Sequence, residues 1–398
     1  MIGPERSKVL MVMDSLAVGG TETHVLSLVK ALGRVGIQPY YAGAGGRMYE
    51  AYARAGCPMY KIDLTPGRLL NPSAGEAVVG ELRRIMRFKA VRIVHVHQTP
   101  SGVYAAIAAR ELGIPVVFTV HGAYYSHEQL REMKELGCLF ISVSLPVQAY
   151  LNGLGIESEL VPNAVDPLEF YPGPAPSGLR ESLGIPDAAP VVVYASRLAW
   201  DKAAVCSMLI RAAARIKDGR GASLHLVVVG DGNQYEEIKR IAQQTQKETG
   251  RRFIHLVGSQ TRIRDYLALG DLVVGTGRVA LEAMHCAKPV LAIGNHGYFG
   301  MVEPQVYDRA WEMYFGDHAS ERRPTEEVIA DRLALELEAP DRLRWMGNSA
   351  RKWASERFGI DRIGESLRRI YGRAAEAARE GRGSANEKEG ALSRMDRI

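Results

Sequence analysis

Short apolar runs recur along the chain, each closed by a glycine, histidine or polar break and followed by a stretch with helical periodicity. The runs are near-continuous, not alternating, which is the pattern of strands buried on both faces of a parallel sheet. In the first part, strands are predicted over 8–13, 39–42, 59–62, 92–96, 116–120 and 138–143. Helices are predicted between them over 21–32, 77–88, 103–112 and 146–154. The proline- and glycine-rich stretch 161–178 then marks a linker. The alternation restarts after it, with strands over 191–195, 223–229, 253–257, 272–274 and 290–293. Helices over 203–216, 235–245, 263–269 and 278–286 separate these strands. Two such series predict two α/β domains, each built on a doubly wound parallel sheet. Residues 351–379 read as one or two terminal helices, and 381–398, polar and aperiodic, as a disordered tail.

Open α/β sheets place ligands at the carboxyl ends of their strands. The breaks there are Gly19-Gly20, His97, His121, Ser196-Arg197, Gly230-Asp231 and Gly275-Thr276-Gly277. If the two domains face each other, these loops converge on one cleft. Gly275, Thr276 and Gly277 carry little side-chain bulk, so backbone N–H groups there can approach a ligand closely. The helix that follows, with Arg278, Val279 and Glu282, offers unpaired N–H donors and a positive dipole end. Glu282 is placed to accept hydrogen bonds from a vicinal diol such as a ribose; the plainer reading is a solvated helix carboxylate. Arg197 and Lys202 lie across a strand-to-helix turn. Arginine offers a fork and lysine a point charge, a combination that clamps a diphosphate, against the alternative of two surface cations.

Composition narrows the field. At 398 residues and 46% hydrophobic content the chain suits two or three soluble domains, and no apolar run is long enough to span a membrane. The net charge of +5 permits an anionic partner without implying nucleic acid. Cys57, Cys138, Cys206 and Cys286 are scattered, which argues against a zinc site or disulfide framework and fits a reducing cytoplasm. No D-x-D occurs, so no metal site is expected. His95 and His97 alternate on one strand and point to one face, but no carboxylate cluster lies near them, so a structural or acceptor-side role is favoured. Arg83, Arg84 and Arg87 on the 77–88 helix read as a solvated face, or as contact with an anionic membrane surface.

In chain order the sequence carries G-G-T-E, I-V-H-V-H, T-V-H-G, V-P-N-A-V-D, S-R-L-x-x-x-K, V-V-G-D-G and L-E-A-M-x-C-x-K-P-V. Each is short; their order gives them weight. Together they resemble the family 4 glycosyltransferases of the GT-B fold, up to about residue 371. The resemblance implies two Rossmann-like domains facing across a cleft. An acceptor-side domain would span 1–165 and a nucleotide-sugar donor domain 166–352, with helices over 353–380 returning to the first domain. It implies retaining, metal-independent, cytoplasmic transfer from a nucleotide-diphosphate sugar, a UDP-sugar first, with no cofactor. The acceptor would be a small molecule, a glycan or a lipid-linked glycan, the last with the enzyme peripheral to the membrane.

By the same resemblance, Arg197 and Lys202 would bind the diphosphate, Glu282 the ribose, and Gly275 to Gly277 the donor sugar. Arg278 and Val279 would lie over the phosphates, with Gly230 nearby and Thr261 and Arg262 in the base-contacting turn. His121 would sit beside the sugar, and Gly19 and Gly20 would close the site from the other domain. His121, Arg197 and Lys202 are the candidate catalytic set. One position departs from the pattern: the family usually has a second glutamate eight positions before the ribose glutamate, and here that position is Val274. The alternative it raises is a nucleotide-sugar-binding protein without turnover. A nicotinamide-dependent oxidoreductase is disfavoured, because the first glycine loop is not G-x-G-x-x-G.

Overall fold

The computed structural model describes residues 7–69, 71–216, 224–294, 297–320, 323 and 325–395. The chain divides into two compact units, Met1–Ala164 with Ile360–Ile398, and Val165–Gly359.

The first unit holds seven parallel strands: β1 Lys8–Val12, β2 Gln38–Gly43, β3 Met59–Lys61, β4 Ile93–Val96, β5 Val116–Val120, β6 Leu139–Ser142 and β7 Ser158–Leu160. Their order is β3-β2-β1-β4-β5-β6-β7. The second holds β8 Val191–Ala195, β9 His225–Val229, β10 Ile254–Leu256, β11 Leu272–Val274, β12 Val290–Gly294 and β13 Gly297–Met301, in the order β10-β9-β8-β11-β12-β13. Its pairs are parallel except β12 with β13. The predicted strands are all present; residue 223, expected to begin β9, lies outside the described residues. β7 and the antiparallel edge β13 are additions. β13 reads G-Y-F-G-M, and its glycines hide a strand from a pattern search.

Side-chain alternation gives each sheet two cores. In the second unit Val191, Val193, Val227 and Val273 pack into one cluster, and Val192, Tyr194, Val228, Leu272 and Val274 into the other. Helices cover both faces, which is why the strands carry so few polar residues. In the first unit the cluster around Val9, Met11 and Ile93 is completed by Ile360, Ile363, Leu367 and Ile370 from the terminal helix Ile360–Met395. Burying such side chains is worth roughly 1.5–3 kcal/mol each, enough to fix this helix in place. Gly364 allows its close approach to the helix Gly20–Arg34: a Cβ there would lie 2.8 Å from the Ala31 carbonyl oxygen.

The boundaries differ from the expected ones. The chain leaves the first unit after Ala164, and the stretch read as a linker is packed, with Val165 and Phe170 buried in the second unit's core. The return begins at Ile360, not Trp353. The reason is one continuous helix, Pro340–Phe358, whose Ala350, Trp353, Ala354 and Phe358 belong to the second unit's core and which stops at Gly359 in extended conformation. Helix also runs to Met395 where a disordered tail is expected. The tail's alanine, glutamate, lysine and arginine are strong helix formers, and a packed helix ahead of them removes the nucleation cost. Residues 396–398 lie outside the described residues.

Candidate functional site

In the second unit β8 and β11 are neighbours, and the strand order runs outward from them in both directions. That is the topological switch point, where the loops at the carboxyl ends diverge and leave a crevice. Ser196 to Ala199 follow β8, Gly230 to Gly232 follow β9, and Gly275 to Gly277 follow β11. The first two are locked together: the Leu198 N–H donates to the Asp231 carbonyl at 3.0 Å, and the Gln234 N–H to the Leu198 carbonyl at 3.0 Å. Gly230, at φ +145°, lies so close to the Ser196 carbonyl that no side chain fits. Gly275 is needed for a similar reason, since a Cβ there would sit 2.7 Å from Val279 Cγ1.

Arg197 is exposed at this end of the sheet. Lys202, on the helix Trp200–Arg215, places Nζ 3.0 Å from Asp317 Oδ1. The Thr276 hydroxyl donates to the same oxygen at 3.1 Å. Asp317 thus joins the loop after β11 to the helix after β8. Burial raises its carboxyl, but Lys202, His318 and the Thr276 hydroxyl outweigh this and hold it below its usual value. Gly277 has φ +52°, and a Cβ on it would meet Tyr314 Cε1 at 3.0 Å and Asp317 Oδ2 at 3.2 Å. Glu282 is buried, and its Oε1 accepts from Arg278 Nε at 2.7 Å. Burial raises the Glu282 carboxyl, and Arg278 offsets only part of the effect. Thr261 and Arg262 line an open depression with Gly178, Leu179 and Asp265, and Arg262 Nε pairs with Asp265 Oδ2 at 2.9 Å.

Gly19, Gly20 and His121 belong to the first unit. Gly19 caps the helix Gly20–Arg34, which opens beside the β1/β4 switch point and carries His24 in its second turn. His24, His97 and His121 come together, with candidate ligand atoms within 4.8 Å of one another. His97 Nδ1 and His121 Nε2 are 3.4 Å apart. His95 lies on the same face, bonded through Nδ1 to the Tyr371 hydroxyl at 2.6 Å and through Nε2 to Thr119 Oγ1 at 2.7 Å. The structural role favoured for His95 therefore has partners, one of them on the returning helix.

Burial lowers His95 to about 3, His121 to about 3 and His97 well below its ordinary value, so all three are neutral near pH 7. A histidine that resists protonation only when folded destabilises the fold as pH drops below its unfolded value of about 6.5, and the loss levels off near its folded value. For His95 alone the expected loss is roughly 2 kcal/mol at pH 5 relative to pH 7.5. Urea midpoints measured across that range should fall, and H95N should flatten the slope. Identical slopes in the two proteins would remove His95 as its source.

The sequence does not single out His24, Asp317 or the Arg278–Glu282 pair as a group. The four-residue spacing of the pair is a usable signal, since such positions are neighbours on a helix. His24 could be found from its place just behind Gly19-Gly20. Asp317 has no local signal, because its partners come from distant segments.

The second unit thus carries a glycine loop, two cations and a carboxylate at its parallel-sheet switch point. Similarity to known proteins gives the family. Residues 18–168 match Glycosyltransferase Family 4, and residues 178–353 match Glycosyl transferases group 1. A D-inositol 3-phosphate glycosyltransferase of Xylanimonas cellulosilytica is 25% identical over 413 residues, covering 89% of this chain and 92% of that protein. A glycosyltransferase structure from Rickettsia africae superposes with a TM-score of 0.76 at 17% identity, over 93% of this chain and 99% of that one. Anabaena HepE, solved in complex with UDP and glucose, gives 0.71 at 20% identity, over 92% and 99%. The chain belongs to the family 4 glycosyltransferases of the GT-B fold. It is a transferase that uses a nucleotide-sugar donor.

Proposed function

We propose that the chain transfers a sugar from a UDP-sugar to a hydroxyl acceptor with retention at the anomeric carbon and without a metal ion. The observation that carries this is the Lys202–Asp317–Thr276 constellation at the β8/β11 switch point, beside exposed Arg197. Arg197, Lys202 and the N–H groups opening the helix Gly277–His285 would oppose the charge that develops on the departing diphosphate. HepE, of the same fold, holds UDP and glucose, which supports a UDP-sugar here. The acceptor falls to the first unit, where His24, His97 and His121 form a polar group. Among the described residues no helix is long and apolar enough to cross a membrane. A cytoplasmic enzyme meeting a lipid-linked acceptor at the membrane surface is the setting this reading implies.

The test is release of nucleoside diphosphate from a panel of nucleotide sugars, UDP-glucose among them, in the presence of candidate acceptors and of EDTA. Turnover that persists in EDTA is expected. R197A and K202A should each weaken UDP by roughly 10- to 150-fold, the range for one charge-assisted hydrogen bond. Unchanged UDP affinity in both variants would remove the diphosphate assignment. Activity lost to EDTA and restored by a divalent metal would end the metal-free reading and turn attention to the three histidines.

A further inference from the structure

We propose that Asp317 is the carboxylate that reads the donor sugar's hydroxyls, and that it holds Lys202 until the donor's diphosphate takes the lysine over. This rests on the donor reading of the same site. The family's usual glutamate is absent, and Val274 at its position is buried in a core, so the site needs its carboxylate from elsewhere. Asp317 reaches the Gly275–Gly277 loop from a different part of the chain.

The two oxygens of Asp317 are unequal. Oδ1 is occupied by Lys202 at 3.0 Å and Thr276 at 3.1 Å. Oδ2 points at Gly277, where a Cβ would lie 3.2 Å from it, and His318 Nε2 is 3.9 Å away, beyond hydrogen-bonding distance. An ionised carboxylate accepts at both oxygens, so Oδ2 keeps capacity for a ligand O–H beside the loop assigned to the sugar. When a diphosphate draws Lys202 away, capacity on Oδ1 is released as well.

The turn that delivers Asp317 is strained. Tyr314, Phe315 and Gly316 all have positive φ, at 49°, 54° and 84°. For the two aromatic residues a left-handed backbone is a strained conformation. Buried packing holds them there: Trp311 lies against Tyr314 and Phe315 at ring distances of 5.6 and 6.3 Å, and Phe315 against Trp353 at 6.4 Å. Gly277 and Gly294 leave room for the turn: a Cβ on Gly277 would crowd Tyr314 and Asp317, and one on Gly294 would collide with the Gly316 carbonyl. Five positions on three segments thus accommodate one carboxylate. An exposed counter-ion for Lys202 would need none of this.

Calorimetry with UDP and with a panel of UDP-sugars that includes UDP-glucose separates the possible roles. The quantity read is the sugar increment, the ratio of the UDP dissociation constant to that of the tightest UDP-sugar. In the wild type a sugar held by Asp317 tightens binding. In D317A, and less so in the isosteric D317N, the increment should fall roughly tenfold or more, the range for hydrogen bonds to a charged group. UDP itself should bind as well or severalfold better, because Lys202 has lost its competitor. D317E should recover part of the increment, and thermal midpoints confirm that each variant is folded. A structural role would weaken UDP and UDP-sugar together, and a pure counter-ion role would tighten both equally; either result overturns the proposal. A wild type that binds UDP but shows no increment for any sugar also overturns it. A wild type that binds no UDP strikes the donor reading itself, and the Asp317 assignment with it.

Discussion

V274E is expected to lose about 3–5 kcal/mol of stability at pH 5, more at pH 7.5, and to gain no turnover. Val274 ends β11, and the strand's pleat turns it to the same side as Leu272, into the cluster that holds Leu198, Leu291 and Ile293. Its side chain is fully buried. A glutamate there would face the apolar side chains of this cluster. It adds volume to a packed core, which costs about 1–3 kcal/mol, and buries a carboxyl, which costs at least as much again even when protonated. Burial would raise its pKa by several units. The sign then follows from linkage: the folded state binds the proton more tightly, so the penalty is smallest in acid. It grows as pH rises from the unfolded value near 4.3 toward the raised folded value. Urea denaturation at pH 5 and pH 8 should show V274E closer to the wild type at the lower pH. A variant as stable as the wild type at both, with increased transfer, would show that position 274 reaches the ligand. That result would favour a binding protein that lacks only this carboxylate.

Val274 shows how far the sequence is readable. The strands are legible because both faces of each sheet are covered, and only doubly covered strands need continuous apolar runs so short and so regularly spaced. The loops are legible for a related reason: a Cβ on Gly230 or Gly275 would collide with backbone or side chain, and Gly277 holds a left-handed backbone conformation that favours glycine. Direction and partnership are not legible. Position 274 reads as the end of a strand, and it is one, but a single residue of pleat decides between core and crevice. Lys202 reads as a phosphate ligand with no hint of the Asp317 that engages it, because the pair is joined only by tertiary structure. The meeting of His24, His97 and His121 is equally hidden, since the three imidazoles arrive from one helix and the ends of two strands. The returning helix is visible in the sequence, but its start is not, because Trp353 sits in a polar helix whose buried face is sparse.

E282A is expected to destabilise the second unit by about 3 kcal/mol, and R278M/E282L by far less. In this structure the carboxylate assigned to the ribose is also half of a buried ion pair, with side-chain exposures of 11% for Arg278 and 4% for Glu282. Removing one member of such a pair leaves the other's charge in a low-dielectric setting, at a typical cost of about 3–5 kcal/mol, whereas replacing both with apolar groups is often near neutral. The lower end is expected here because Glu169 is close enough to act on Glu282 and remains as a negative charge in the same region. A double-mutant cycle in urea, with E282L and R278M as the single variants, isolates the coupling. Ligand measurements then divide the two roles of the residue. If Glu282 also holds the ribose, R278M/E282L should be stable yet bind UDP much more weakly than R278M alone, while 2′,3′-dideoxy-UDP binds those two variants alike. If the double variant recovers stability and UDP affinity together, Glu282 serves only to hold Arg278 and the helix behind the glycine loop, and the ribose must be recognised by other groups.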